Sequence, residues 1–124
     1  MGGTSLLNVA MKAAFQRARP SLWLSLTPEH DTGFPSGHSM LSCTFVLAML
    51  VIAWKSDWSS SAKWMATALG LLFVGGVGLS RLYLGVHYPS DVLAGWSLSL
   101  AWVALLGGIF RRRLRRSFES PLSS

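Results

Sequence analysis

The sequence predicts an all-α, integral-membrane helical bundle with about three transmembrane helices and an N-terminal amphipathic helix. Hydrophobic residues make up 51% of the 124 residues and charged residues only 13%, against roughly 25% charged residues in a soluble domain. The apolar residues are concentrated in three uncharged stretches, residues 39–54, 64–80 and 92–110. A chain of this length accommodates one domain, which we assign to residues 1–124.

The first predicted element is the N-terminal helix. Residues 5–15 carry apolar side chains at helical spacing. The segment is too short and too polar to cross a bilayer, which takes about 20 residues. We therefore predict an amphipathic helix, or the end of one.

The three uncharged stretches predict the remaining elements as membrane spans near residues 36–54, 64–80 and 90–110. Each is close to the ~20 residues that a transmembrane helix needs. Tryptophan favours the membrane–water boundary, and the polar turn between the first two spans is surrounded by Trp54, Trp58 and Trp64. Any one stretch alone could be a buried helix of a soluble protein. Three stretches with so few charges between them favour spans.

The basic residues predict the topology. Lys55 and Lys63 border the first turn, and five arginines follow the third span within residues 111–116, at the start of a basic tail, residues 111–124. These segments lie on one side of the membrane, which the positive-inside rule makes cytoplasmic. We expect a bacterial inner (plasma) membrane protein with a cytoplasmic tail. In a soluble protein the cluster could bind nucleic acid, but after a span we expect no nucleic-acid partner.

The same topology places the start of the first span and the link between the second and third spans together on the extracytoplasmic side. Residues 1–20 would have to lie there too, although they contain no signal peptide and no span. We therefore expect the chain to be N-terminally incomplete, either as a C-terminal fragment of a longer protein or because its start is internal.

Three polar motifs interrupt the apolar sequence. They read K-x6-R-P, P-S-G-H and S-R-x5-H-x3-D, and they occupy residues 12–20, 35–38 and 80–91. Their cations are Lys12, Arg19 and Arg81. Phosphoryl transfer concentrates negative charge on the oxygens of the transferred group, so it requires fixed cations around one point. With two histidines, a serine and a carboxylate, these motifs predict a site that holds a phosphate and passes its phosphoryl group to an imidazole.

In this order, the three motifs resemble those of the type 2 phosphatidic acid phosphatase family, whose superfamily includes vanadium-dependent haloperoxidases and bacterial acid phosphatases. The resemblance extends from residue 12 to about residue 110. Membrane members of the family usually have about six spans, so the resemblance implies that this chain holds the latter half.

The residues and the resemblance assign the same catalytic roles. We interpret His87 as the nucleophile that forms a phosphohistidine. Asp91, four residues later, lies close enough to accept one ring N–H and fix the tautomer. His38 is then the general acid that protonates the leaving alkoxide and, afterwards, the base that activates water.

The other motif residues are predicted to bind the substrate phosphate. Ser36 and Gly37 lie where the first apolar helix begins, and free N–H groups at a helix N-terminus form an anion site. Ser36 can also cap the helix. The cations of the motifs complete this set, namely Lys12, Arg19 and Arg81.

No metal or cofactor is expected, because the five acidic residues form no paired-carboxylate cluster. The single cysteine, Cys43, rules out an intrachain disulfide and lies in an apolar stretch, where it is expected to be a small core residue.

Three functions remain open from the sequence. The first is a metal-independent membrane phosphatase that acts on a lipid phosphate or diphosphate of the phosphatidic acid, phosphatidylglycerol phosphate or undecaprenyl diphosphate class. The second is an inactive fragment or assembly partner that lacks upstream helices, a lack that a homo-oligomer would repair. The third is a vanadium-dependent haloperoxidase, which the membrane spans disfavour because halide and peroxide need no lipid platform.

Overall fold

The computed structural model describes residues 2–15 and 33–119. Within these ranges the chain forms α-helices joined by short turns, with no strand. The helices are α1 (Gly2–Phe15), α2 (Gly37–Lys55), α3 (Ser60–Tyr83) and α4 (Pro89–Glu119). The predicted all-α class is confirmed.

Local sequence explains where the helices begin and end. Ser36 and Ser59 are the N-caps of α2 and α3, and each side chain accepts a hydrogen bond from a backbone N–H three residues later. Pro89 starts α4, where a missing N–H costs nothing. After α3, Gly85 adopts a positive φ of 67°, a left-handed conformation that glycine reaches without steric strain.

Within the described part of the chain, three helices are long and apolar enough to cross a membrane: Gly37–Lys55, Ser60–Tyr83 and Pro89–Arg113. Only 11% of the most apolar 18-residue segment of α3 is buried within the bundle. Its leucines and phenylalanine point outward instead, with Leu72 73% exposed. A continuous apolar surface of this kind suits lipid as its surroundings.

The helices α3 and α4 are longer than the spans predicted from the sequence. Lys63 and Arg81 border the uncharged stretch 64–80, but α3 includes both of them. A helix can continue past such residues because long basic side chains extend from a helix end to the membrane interface. α4 continues through the arginine cluster to Glu119. The first part of the basic tail is therefore helical, as the high helix propensity of arginine allows.

α2 lies at the centre of the bundle and packs against α1, α3 and α4, whereas α3 and α4 make few contacts with each other. Glycines allow the close approaches. A Cβ on Gly70 of α3 would stand 2.6 Å from Val46 of α2, and a Cβ on Gly78 would stand 2.6 Å from Trp96 of α4. The buried apolar cluster of Cys43, Val46 and Val74 lies between these helices.

α1 packs with its polar face inward. Thr4 and Asn8 are 1% and 7% exposed, while Leu6 and Val9 are 73% and 62% exposed. The prediction of an amphipathic helix holds, but the buried side is the polar one. This arrangement is expected in lipid, where apolar side chains gain nothing from being turned away from the surroundings.

The first turns of α2 and α4 lie at the same end of the bundle, where the Ser36 N–H donates to the Asp91 carbonyl oxygen at 3.0 Å. α3 runs the opposite way and returns the chain to this end. The turn that follows Lys55 and the arginines at the end of α4 therefore lie at the other end. The fold thus separates the histidine motifs from the basic segments.

Candidate active site

The P-S-G-H motif forms the start of α2. Ser36 is fully buried, and its Oγ accepts a hydrogen bond from the Ser39 N–H at 3.4 Å. The predicted capping role of Ser36 is therefore observed. Gly37 and the exposed His38 form the first turn, at the positive end of the helix dipole. This turn has the character of an anion-binding helix terminus.

His87 and Asp91 lie side by side at the start of α4, as their spacing predicts. The distance from His87 Nδ1 to Asp91 Oδ2 is 3.7 Å, and both side chains are almost fully buried. Asp91 Oδ2 also accepts a hydrogen bond from the Tyr88 N–H at 2.7 Å. This bond holds the carboxylate with Oδ2 toward Nδ1 of His87. Nε2 is therefore the ring nitrogen that points away from the carboxylate.

The two motifs contact each other through the backbone. Besides the bond from Ser36 to Asp91, the Ser99 hydroxyl lies 2.7 Å from the Met40 carbonyl oxygen on α2 and 2.8 Å from the Gly95 carbonyl oxygen on its own helix, and the two oxygens share its one hydrogen as acceptors. Between these contacts, a Cβ on Gly95 would stand 3.0 Å from the Ser36 carbonyl oxygen and 3.2 Å from the Met40 nitrogen. The start of α4 is therefore fixed against the start of α2.

α1 reaches the same end of the bundle. Asn8 Nδ2 donates to the Pro35 carbonyl oxygen at 3.4 Å, next to the P-S-G-H turn. Lys12 is half-buried and lies one helical turn after Asn8. Positions i and i+4 share a face of a helix, so Lys12 is on the side of α1 that faces this turn.

Of the two remaining predicted cations, only Arg81 belongs to the residues that the structure describes. Arg81 is on the last turn of α3, half-buried, and its Nε lies 3.4 Å from the Ser80 hydroxyl. The short connection from Tyr83 to Pro89 keeps it at the histidine end of the bundle. Arg19 lies outside the described residues, so its role stays a prediction.

Three residues that hold the site together were not predicted from the sequence, namely Asn8, Gly95 and Ser99. The spacing of two of them could have indicated their role. Gly95 and Ser99 follow Asp91 by four and eight residues, so they lie on the same face of the helix as Asp91. Asn8 precedes Lys12 by four residues, but nothing in the sequence of α1 shows which neighbour its amide contacts.

The close approach at Gly95 leads to a stability prediction. Gly95→Ala should lower the free energy of unfolding by about 1–3 kcal/mol, the usual range for overpacking, because its Cβ would meet backbone atoms that cannot rotate away. Thermal unfolding in detergent measures the change. Gly108→Ala is the control, since within the described chain only its own helix backbone and chain neighbours lie near that Cβ position. Equal midpoints for the two variants would contradict the prediction.

Fold and site together define a helical membrane protein with a histidine–carboxylate pair beside the N-terminus of an apolar helix. The chain belongs to the PAP2 superfamily, whose family model matches residues 1–115. The resemblance inferred from the three motifs is thereby confirmed.

Individual relatives agree with this assignment. The chain is 38% identical over 117 residues to phosphatidylglycerophosphatase B of Bacillus subtilis (strain 168), covering 93% of this chain and 56% of that protein. It is 34% identical over 106 residues to an undecaprenyl-diphosphatase of Sulfolobus acidocaldarius, covering 86% and 46%. The chain thus spans about half the length of these relatives.

A solved structure matches the fold. The crystal structure of a transmembrane PAP2 type phosphatidylglycerolphosphate phosphatase from Bacillus subtilis superposes with a TM-score of 0.79 at 35% identity, covering 90% of this chain and 55% of that one. The match with a transmembrane protein confirms the prediction of an integral-membrane bundle.

Proposed function

We propose that this chain carries the active site of an integral-membrane, metal-independent phosphatase that hydrolyses a lipid phosphate or diphosphate. The hydrogen bond from Ser36 to Asp91 carries the proposal, because it joins a helix terminus suited to an anion with the histidine–carboxylate pair. The names of the relatives support the substrate class, since one is a phosphatidylglycerophosphatase and another an undecaprenyl-diphosphatase.

In the first step the substrate phosphate binds at the start of α2, near Ser36 and Gly37. The cationic side chains of the motifs neutralise the charge on its oxygens, namely those of Lys12, Arg19 and Arg81. Phosphate charge is thereby held at one point before any bond changes.

Nε2 of His87 then attacks phosphorus. A P–N bond forms while the bond from phosphorus to the leaving oxygen breaks, and His38 donates a proton to that oxygen. The phosphorylated imidazole carries its remaining proton on Nδ1, and the nearby Asp91 carboxylate stabilises the resulting positive charge.

The second step returns the enzyme to its starting state. His38, now neutral, accepts a proton from a water molecule as the water oxygen attacks phosphorus. The P–N bond breaks and inorganic phosphate leaves. The net reaction consumes one water and yields an alcohol and phosphate, or a lipid monophosphate and phosphate when the substrate is a diphosphate. The balance requires no electron transfer and no metal-bound nucleophile.

We further propose that this chemistry takes place at the extracytoplasmic face of a bacterial inner membrane. This assignment is supported by where the charges lie along the bundle. Two basic segments, the turn at Lys55 and residues 111–116, lie at the end opposite the histidines, and the positive-inside rule makes that end cytoplasmic. A site at the opposite end would lie at headgroup depth, where the lipid chains of a substrate can stay in the bilayer.

The direct test is phosphate release from phosphatidic acid by the purified full chain in detergent. Release above the background of a His87→Ala preparation would support the proposal. No release from phosphatidic acid, phosphatidylglycerol phosphate or undecaprenyl diphosphate by a protein that unfolds cooperatively on heating would contradict it. That outcome would favour the alternative of an assembly partner that needs further helices.

Removal of divalent metals should leave the activity nearly unchanged. Excess EDTA is expected to alter phosphate release by less than about twofold, because the cations of the proposed site are side chains rather than metal ions. Release is measured before and after chelation and again after Mg²⁺ is added back. A large loss that Mg²⁺ restores would contradict the metal-independent mechanism.

A further inference from the structure

Asn8 is a buried polar side chain to which the proposed reaction gives no role. It is 7% exposed on a helix whose outward residues are apolar. Burying an amide is unfavourable unless it is hydrogen-bonded, and a leucine of similar size would fill the same space without that requirement. The presence of an amide at this position therefore calls for a reason other than packing.

Among the described residues, the Asn8 side chain contacts the start of α2. Its Nδ2 donates to the Pro35 carbonyl oxygen at 3.4 Å and lies 3.6 Å from Met40 Sδ. Its Oδ1 is 3.2 Å from the position that a Cβ on Gly37 would take. The amide thus contacts the residues before, within and after the first turn of α2, and Gly37 leaves the space that the amide occupies.

These contacts fix the position of α1 along α2. Lys12 is about 6 Å further along the axis of α1, at 1.5 Å per residue, on the same face and half-buried. A slip of α1 by one residue would move the Lys12 backbone by about 1.5 Å. Misplacement by ~1 Å can reduce a catalysed rate about 10²-fold, so the register of α1 determines whether the Lys12 ammonium group reaches the phosphate.

We propose that Asn8 is a positioning residue that sets the register of α1 against the P-S-G-H turn and so places Lys12 at the substrate phosphate. This inference rests on the proposed function, because Lys12 is assigned to the phosphate there. Asn8 acts through the backbone of α1 and does not itself touch the substrate.

The test compares Asn8→Leu with wild type in the full chain. Leucine keeps the volume but removes the hydrogen bond, so the thermal midpoint should change little while kcat/KM for phosphate release falls about 10- to 100-fold. Inhibition by orthovanadate, a phosphate mimic, should weaken in parallel. Asn8→Ala serves as a second variant if the leucine variant does not fold.

Thr4→Val is the matched control. Thr4 is one turn before Asn8 on the same face and is 1% exposed, and the substitution likewise replaces a buried polar group with an apolar one. It should change kcat/KM by less than about twofold, because the register depends on the contacts of Asn8. Equal losses in the Thr4 and Asn8 variants would overturn the proposal in favour of a general effect of packing.

A double-mutant cycle tests whether Asn8 acts through Lys12. In a Lys12→Ala background, Asn8→Leu should reduce kcat/KM by less than about threefold, because the group that it positions is absent. Full additivity of the two losses would overturn the proposal.

Orthovanadate binding, followed by ⁵¹V NMR, separates failure of this inference from failure of the proposed function. If wild type binds vanadate but releases no phosphate, the phosphatase proposal fails. Weaker vanadate binding by Asn8→Leu would then still support the positioning role, and equal binding would overturn it. A wild-type protein that binds no vanadate would overturn both.

Discussion

Replacement of His87 by alanine should abolish turnover, with phosphate release reduced on the order of 10⁴-fold or more, as for the loss of a nucleophile in other covalent mechanisms. The side chain is buried beside Asp91, a histidine–carboxylate pair that is not repeated among the residues the structure describes. Alanine leaves a cavity where the imidazole lay, but the backbone contact between Ser36 and Asp91 at the start of α4 remains. The thermal midpoint should therefore stay close to that of wild type.

The measurement combines phosphate release with trapping of the phosphorylated protein from ³²P-labelled substrate in an alkaline, denaturing quench, because the P–N bond of phosphohistidine is labile in acid. His87→Ala should form no phosphoprotein with any substrate. Normal turnover by this variant, or a trapped phosphoprotein, would show that another residue is the nucleophile.

His38→Ala is the informative comparison, because it removes the proposed proton donor and keeps the nucleophile. With p-nitrophenyl phosphate, whose leaving group needs no proton, this variant should still form a phosphoprotein. The phosphoprotein should then accumulate, since the base that activates water is missing. The two histidines are thus distinguishable by which step each variant blocks.

Asp91→Asn should reduce kcat about 10²- to 10⁴-fold with little loss of stability, following the effect of the corresponding change in a serine protease triad. The amide oxygen of asparagine can still accept the Tyr88 N–H bond that Asp91 Oδ2 accepts at 2.7 Å. What disappears is the negative charge 3.7 Å from His87 Nδ1. In a buried site that charge strongly favours a positively charged, phosphorylated ring.

Steady-state kinetics and thermal unfolding of the same preparations test this prediction. Asp57→Asn is the control, because Asp57 is exposed in the turn between α2 and α3, at the opposite end of the bundle. It should behave as wild type. Unchanged kcat in Asp91→Asn would remove the carboxylate from the mechanism, and loss of folding in it would assign Asp91 a structural role.

The spans could be predicted from the sequence because length and hydropathy are properties of a single segment. Their ends were less well predicted, as Lys63 and Arg81 show. The two residues border the uncharged stretch 64–80 on either side, yet both lie within α3. Hydropathy reports the preference of a side chain for lipid, whereas the backbone of a helix continues as long as its hydrogen bonds are made.

The face that α1 buries is a second point that the sequence left open. Helical periodicity identified a polar and an apolar side in residues 5–15. In water the apolar side would be buried, but the structure buries Thr4 and Asn8. Which side faces the protein depends on the surroundings, because lipid removes the hydrophobic advantage of packing apolar residues inside.

By itself, the sequence determined the class of fold, the three spans and the residues capable of phosphate chemistry, because each depends on residue identities at short spacing. Only the tertiary structure decided how the motifs meet: the Ser36–Asp91 hydrogen bond, the close approach at Gly95 and the contact of Asn8 with Pro35. These contacts join residues far apart in the chain. They arise from the packing of whole helices, which no single segment encodes.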